Sequence, residues 1–319
     1  MIKKADYIFQ KPTIIDIPVG EKKKLALLND NIVIKENGII LDKTSLHIIS
    51  TVIVIGNASI TTELMKKMTK LGKTLMLVDW NLNAPVIMAP QAEGNYILRT
   101  NQYKTQINDI EMPKIIVKNK IQNQEKTLIK YLLVEQNSDT YTFAYRDLIT
   151  AKTCAEIRGI EGYTAKIYFK KLFTPYEWIG RLPQTKIDIT NVLLDVGYTY
   201  LFNFTDSLLR LFGFDTYKGV YHTLFFERKS LTCDIMEPMR PIIDQAIVKL
   251  YHLGQIKEKD FIIKDRMYGF SYKPGIRARY TGLLVKEIMG KKEQIYKYIY
   301  SWYRYTMNKE KNPEPYFTM

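Results

Sequence analysis

The apolar residues of this chain keep one spacing up to about residue 90 and another beyond it. In the first part they form short runs of β-forming residues broken by turn signals, at Thr13–Pro18, Leu46–Ile55 and Thr74–Val78. Ile32–Glu36 and Ile39–Asp42 flank Asn37-Gly38, the kind of pair that two-residue hairpin loops prefer. One helix is expected among these strands. Thr61 or Thr62 can cap it, Leu64, Met65, Met68 and Leu71 repeat at helical spacing, and Gly72 can end it. Asn81, Pro85 and Pro90 lead into QAEGN at 91–95, a turn-rich stretch read as a linker. Beyond it Ile115, Ile116, Ile121, Leu128, Ile129 and Leu132 are spaced as on an amphipathic helix. Further helices are expected near 152–172, 190–212, 234–253 and 277–305. The pattern predicts an α+β chain of two domains: a β-rich one over 1–90, a linker over 91–95, and a larger all-α one over 96–319.

A length of 319 residues accommodates two domains. A hydrophobic fraction of 46% excludes a disordered chain. The 47 Lys and Arg outnumber the 33 Asp and Glu, leaving +14. Such an excess points to phosphate-rich partners, nucleic acid before anionic membrane. No apolar run reaches the roughly 18 residues a membrane span needs, and MIKKADYIFQ has no apolar segment behind its charges. Cys154 and Cys233 are too few for a disulfide framework. A reducing, cytoplasmic setting is expected.

Several familiar signatures fail. Gly72-Lys73-Thr74 resembles the end of a phosphate-binding loop, but Lys67 stands where that loop needs glycine. GxGxxG, HExxH, CxxC and GxSxG are absent, and three histidines argue against a multi-histidine zinc site. Two segments are more informative. In AEIRGIEGYTAKIYF, Ile157, Ile160 and Ile167 form an apolar stripe, yet Gly159 and Gly162 flank Glu161. Each glycine costs about 1 kcal/mol against alanine inside a helix. Either something approaches the backbone closely there, or two helices cross and Glu161 is solvated. In the second segment, Tyr221 to Pro241, Asp234, Glu237 and Arg240 are three apart and share a helix face. Asp234 reads equally as a helix cap or as a functional acid, and Pro238 fits a first helical turn. His222 is a ligand or an ordinary hydrogen-bonded histidine. Two carboxylates and an imidazole suit a hard or borderline divalent ion such as Mg²⁺ or Mn²⁺ with open positions. That is the kind of site phosphodiester chemistry uses.

RGIEG with Tyr168 downstream, GFDTYKGVYH at 213–222 and ERKSLTCDIMEPMRP at 227–241 resemble the CRISPR-associated protein one family, the adaptation integrase. IVKNKIQNQ at 116–124, VLLDVGYTYL at 192–201 and ITTELMKKMTKLGKTLMLVDWN at 60–81 extend the likeness over nearly the whole chain. The resemblance implies an N-terminal β-sandwich-like domain that dimerises and a helical catalytic domain. It implies metal ligation by Glu161, His222 and Glu237, with Asp234 as an auxiliary carboxylate. It also implies joining of the 3′ ends of short foreign DNA to the CRISPR repeat by transesterification. The partners would be double-stranded DNA, a second copy of the chain, and the small CRISPR-associated protein two bridging two dimers. Arg158, Lys166, Arg228, Lys229 and Arg240 lie near the expected ligands in sequence and are the first expected phosphate contacts, followed by Arg277 and Arg279. Competing readings are a nuclease of branched DNA, a transposon-type integrase of the same fold, and a catalytically silent DNA-binding scaffold. The scaffold would use the stripe Tyr296, Tyr300 and Tyr303 among Lys291, Lys292, Lys297 and Arg304, a pattern that equally marks a packed amphipathic helix.

Overall fold

The computed structural model describes residues 10–17, 20–78, 86–88, 96–105, 109–135, 138–176, 178–183, 185–222 and 227–319. The chain divides into two compact units, Met1–Gly94 with Arg210–Gly213, and Asn95–Leu209 with Phe214–Met319. The linker expected at 91–95 lies outside the described residues.

The first unit holds strands β1 (Lys11–Asp16), β2 (Lys23–Leu28), β3 (Asn31–Glu36), β4 (Ile39–Ser45), β5 (Ile49–Ile55), β6 (Ala58–Ile60), β7 (Thr74–Val78) and β8 (Val86–Met88), with helix α1 (Thr62–Lys70). They form two four-stranded sheets, in the orders β1-β5-β7-β8 and β4-β3-β2-β6. Strand β5 runs parallel to both β1 and β7. It is buried continuously from Thr51 to Val54, as a central parallel strand requires. Leu25 and Ile32 of one sheet share a core with Ile49, Val52, Val54 and Leu75 of the other, and Leu64 and Met68 of α1 complete it. This is the expected sandwich-like arrangement.

The expected hairpin forms. Asn37 and Gly38 have φ of 50° and 85°, the double left-handed turn whose twist matches paired strands. Asn29 and Asp30, with φ of 46° and 57°, make a second such turn between β2 and β3. Strand β2 escapes the sequence reading because it opens on two lysines and its turn lacks glycine. Thr61 caps α1 by accepting from Leu64 N–H at 3.4 Å.

The second unit holds α2 (Tyr96–Lys104), α3 (Glu111–Lys130), α4 (Asp139–Thr150), α5 (Cys154–Phe173), α6 (Ile189–Phe212), α7 (Ser230–Met236), α8 (Pro241–His252), α9 (Ile276–Gly290) and α10 (Lys292–Met307). The helix expected over 234–253 is broken. A 3-10 turn, Glu237–Met239, separates α7 from α8, because Pro238 and Pro241 lack the N–H that a continuous helix needs. The single helix expected at 277–305 is two, meeting at Gly290–Lys291. Helices α2 and α4 have no counterpart in the sequence reading. Nor has a hairpin of β9 (Phe261–Lys264) and β10 (Met267–Phe270), which adds a small β-element to the helical unit. The tyrosine stripe belongs to a packed helix: α10 buries Tyr296 with Ile295, Tyr298, Ile299 and Trp302. Tyr296, Tyr300 and Tyr303 stack ring on ring at 6.3 and 6.0 Å. Among the described residues no helix is long and apolar enough to cross a membrane.

Leu64 is fully buried where α1 meets both sheets. Leu64→Ala should lower unfolding free energy by about 2–5 kcal/mol, against about 1 kcal/mol for removal of the cap in Thr61→Ala. Urea unfolding of both variants beside the parent protein measures the contrast.

Candidate active site

Four segments of the second unit deliver charged side chains to one place. Helix α3 brings Lys120, α5 brings Glu161, the stretch ending at His222 brings Tyr221 and His222, and the 3-10 turn brings Glu237. Lys120 Nζ donates to Glu161 Oε1 and lies 2.7 Å from Glu237 Oε2. Tyr221 donates its hydroxyl to the other oxygen of Glu161. Arg240 Nη2 holds Glu237 Oε1 at 2.9 Å, and His222 Nε2 faces that same oxygen at 4.0 Å.

The neighbouring helices hold this arrangement in register. Thr153 caps α5 by accepting from Glu156 N–H at 3.2 Å. The helix then runs unbroken through Gly159 and Gly162. A methyl group added at either glycine would meet nothing within 4 Å, so no second helix crosses there. Glu161 is not a solvated side chain either, since only 16% of it is exposed. On α3, Asn119 and Asn123 bind the backbone of Phe317, and Asn123 also donates to Pro238 O at 2.9 Å. The residue next to Glu237 is thereby tied to the helix that carries Lys120.

Asp234 is not the helix cap that the residue spacing offered. It sits near the end of α7, not its start, and caps nothing on its own helix. Its Oδ2 accepts from the N–H groups of Val220 and Tyr221 at 2.7 and 3.0 Å, and its Oδ1 from His222 N–H at 2.9 Å. His222 Nδ1 lies 2.6 Å from the same Oδ1. A fully buried carboxylate thus gathers three backbone donors and one ring nitrogen, and His222 Nε2 is left turned towards Glu237. Gly219 makes the approach possible, because a Cβ there would lie 2.8 Å from Asp234 Oδ2 and 2.7 Å from Ser230 Cβ.

The electrostatics follow from burial and pairing. Burial alone would lower the Lys120 pKa, but Glu161 and Glu237 more than offset it, and the net shift is upward. Burial would raise Glu237. Arg240, Lys120 and His222 overcome that and hold it down at about 2. Burial, then Glu161, push the Tyr221 phenol far above its ordinary value, so it stays a donor. Behind this layer the Arg240 guanidinium lies 4.8 Å over the Tyr198 ring. Tyr198 and Tyr168 both donate to buried Asp244.

The expected site residues Glu161, His222, Glu237 and Asp234 therefore come together. The expected phosphate contacts divide. Arg158, Lys166 and Arg228 are exposed, the first two on the helix that carries Glu161. Lys229 is committed to buried Asp206 at 3.0 Å, and Arg240 to Glu237 and Tyr198. Arg279 pairs with Asp260, and Arg277 is half-buried. Lys120, Tyr221, Gly219 and Asp244 are the residues that sequence reasoning missed. Lys120 and Tyr221 lie inside the segments IVKNKIQNQ and GFDTYKGVYH, but nothing in the spacing marks a lysine as the partner of two distant acids.

The donor set fits a hard divalent ion: carboxylate oxygens of Glu161 and Glu237, and His222 Nε2. Glu237 Oε2 is buried with no donor along a hydrogen-bonding direction, although Lys120 pairs with it in charge. Among the described residues no three His, Cys, Asp or Glu side chains are closed up around a metal position. A cation of the chain itself, the Lys120 ammonium, stands between the two acids.

Residues 19–283 match the family model for CRISPR associated protein Cas1. A CRISPR-associated endonuclease Cas1 of Thermodesulfovibrio yellowstonii is 27% identical over 236 residues, 69% of this chain and 74% of that protein. One from Rhodospirillum rubrum is 27% identical over 255 residues, 73% of this chain and 74% of that protein. Among solved structures, a casposase bound to integration product has a TM-score of 0.79 at 21% identity, covering 97% of this chain and 96% of that one. A Cas1 protein from Thermotoga maritima has a TM-score of 0.78 at 16% identity, covering 96% and 99%. A Cas6-RT-Cas1–Cas2 complex has a TM-score of 0.75 at 20% identity, covering 97% of this chain and 36% of that one.

Asp244 gives a pH signature. Burial raises its pKa from 3.8 to about 6, although Tyr198 and Tyr168 oppose the shift. An acid with a raised folded-state pKa binds its proton more tightly when folded, so it favours folding below pH 3.8 and loses that contribution as pH rises through 6. Asp244→Asn removes this term. The stability difference between parent and variant should shift by about 2 kcal/mol against the parent between pH 4 and 7. Urea unfolding of both proteins across that range measures it, and a constant difference would contradict the assignment.

Proposed function

This chain belongs to the Cas1 family, and from that premise we propose that it is a metal-dependent DNA integrase and endonuclease of CRISPR adaptation. It joins the 3′-hydroxyl ends of short foreign DNA to the CRISPR repeat. The observation that carries this reading is the delivery of Glu161, His222 and Glu237 from three separate segments to one buried, charge-compensated position.

Glu161, Glu237 and His222 Nε2 would hold the ion, Mg²⁺ or Mn²⁺. When bound, such an ion polarises a phosphoryl oxygen and lowers the pKa of an attacking hydroxyl. The remaining work falls to the chain. Asp234 fixes the imidazole through Nδ1 and so aims Nε2, as outer carboxylates do at metal-binding histidines. Tyr221 fixes the rotamer of Glu161, and Arg240 fixes that of Glu237. Arg158, Lys166 and Arg228 supply exposed positive charge for phosphates. In the joining step the DNA 3′-oxygen forms a bond to phosphorus as the strand P–O3′ bond of the repeat border breaks. No covalent protein intermediate is needed.

Double-stranded DNA as substrate, a homodimer as the working unit and a Cas2 subunit as bridge belong to the same proposal. DNA and Cas2 are supported by the family and by the shared fold with an integration-product complex and a Cas1–Cas2 assembly, and the homodimer rests on the sequence resemblance alone.

A strand-joining assay tests the reading. The full-length protein, with and without Cas2, is given fragments bearing 3′-hydroxyls and a repeat-containing plasmid in Mg²⁺ or Mn²⁺. Joined product that disappears with 3′-deoxy ends or with a chelator is expected. Cutting without joining would favour a nuclease of branched DNA, and binding alone a scaffold. Glu161→Ala, His222→Ala and Glu237→Ala should abolish joining even well below their melting temperatures, although Glu161→Ala and Glu237→Ala should also melt lower than the parent because Lys120 loses a carboxylate partner. Gly219→Ala alters no proposed ligand, yet it should cost joining about 10- to 100-fold, because it pushes Asp234 away from the loop that carries His222.

A further inference from the structure

Lys120 is a long, flexible cation at a place where the proposed reaction needs a different one. It rises from the middle of α3, a 20-residue helix, and its side chain is only 10% exposed. The oxygens it contacts, Oε1 of Glu161 and Oε2 of Glu237, belong to two of the three proposed metal ligands. A divalent ion held by these two acids would compete with an ammonium for their mutual gap, because two cations at contact distance in a buried site repel. Without any cation there, the two carboxylates would face each other partly uncompensated, which burial makes costly. Arg240 relieves Glu237 through Oε1 alone, and Tyr221 relieves Glu161 only as a neutral donor.

We propose that Lys120 is an internal competitor of the metal: its ammonium holds Glu161 and Glu237 together in the metal-free protein and leaves their gap when the divalent ion enters. The inference rests on the metal-dependent reading above and extends it to a positioning residue that spans both states. The four-carbon stem allows the ammonium to swing out by rotamer change while α3 stays fixed. The site is thus kept assembled before the metal arrives, and the metal binds more weakly than the bare ligand set would allow.

The test uses the full-length protein and Mn²⁺ alone. Calorimetric titration and thermal melting with and without Mn²⁺ are run on the parent, Lys120→Met, Lys120→Arg and Glu237→Gln. Lys120→Met keeps the stem volume and removes the charge. It should melt lower than the parent without metal, bind Mn²⁺ about tenfold or more tightly, and gain more in melting temperature from Mn²⁺. Lys120→Arg keeps a competing cation and should not bind more tightly than the parent. Should Lys120→Met fail to fold, the parent still reports. Amine acylation mapped by mass spectrometry should label Lys120 more with saturating Mn²⁺ than without it. Unchanged or weaker Mn²⁺ binding by folded Lys120→Met overturns the inference, and so does unchanged or reduced labelling of Lys120. If the parent binds no Mn²⁺, or Glu237→Gln binds it equally well, the metal reading itself fails and this inference falls with it.

Discussion

The ammonium of Lys120 between the carboxylates of Glu161 and Glu237 is the contact around which the larger unit is organised. Glu237 retains 3% of its side-chain exposure and Lys120 10%. Removing one member of such a buried pair leaves a charge without solvent or partner, a penalty of about 3–5 kcal/mol. Each participating segment must therefore arrive in register. Helix α3 is held against the Glu237–Met239 turn by Asn123, which bonds Pro238 and Phe317 at once. Glu237 follows α7 in right-handed helical backbone and so stays on the face of Asp234, and His222 meets both acids through its two ring nitrogens.

Asp234 solves the complementary problem for His222. A loop residue aims its side chain only if its backbone is fixed, and three N–H groups bound to one buried carboxylate fix it. The same carboxylate takes Nδ1 and leaves Nε2 as the outward nitrogen. Gly219 is needed because the backbone passes too close to Asp234 and Ser230 for any Cβ. Arg240 carries the ordering one layer deeper, from Glu237 to the Tyr198 ring and, through that hydroxyl, to Asp244. Charge at the site is thus compensated in successive shells, with acid, base and hydrogen-bonding neutral group alternating.

The open flank of α5 at Gly159 and Gly162 gives the site a different character on its outer side. Among the described residues nothing lies within 4 Å of a Cβ built at either glycine, while Arg158 and Lys166 stand exposed beside them. Two glycines in a helix interior lose about 1 kcal/mol each against alanine, and no internal packing offsets that. A bulky anionic substrate lying close along this helix would account for both the missing side chains and the positive charge.

Much of this was legible in the residues themselves. The change of apolar period near residue 90, the Asn37-Gly38 turn and the cap at Thr61 are local, and local rules govern them wherever the chain lies. Glu161 could be singled out by the glycines that flank it, and Asp234 and Glu237 by their shared helix face, whereas the assignment of Glu161, His222 and Glu237 as ligands came from the resemblance to a family. Strand β2, helix α4 and the hairpin at 261–270 were not legible, since tertiary packing overrides their weak or polar patterns. Lys120 could not be assigned either. A lysine in a basic chain looks like a solvated charge, and only the fold sets it 41 residues from Glu161 and 117 from Glu237 in sequence yet within pairing distance of both. The sequence by itself determined which groups could do the chemistry and which elements would carry them. Tertiary structure alone decided which acid faces the cation and which one aims the histidine, because that choice depends on where α3, α5 and the stretch before His222 lie in space, and residue spacing within one segment does not encode the position of another.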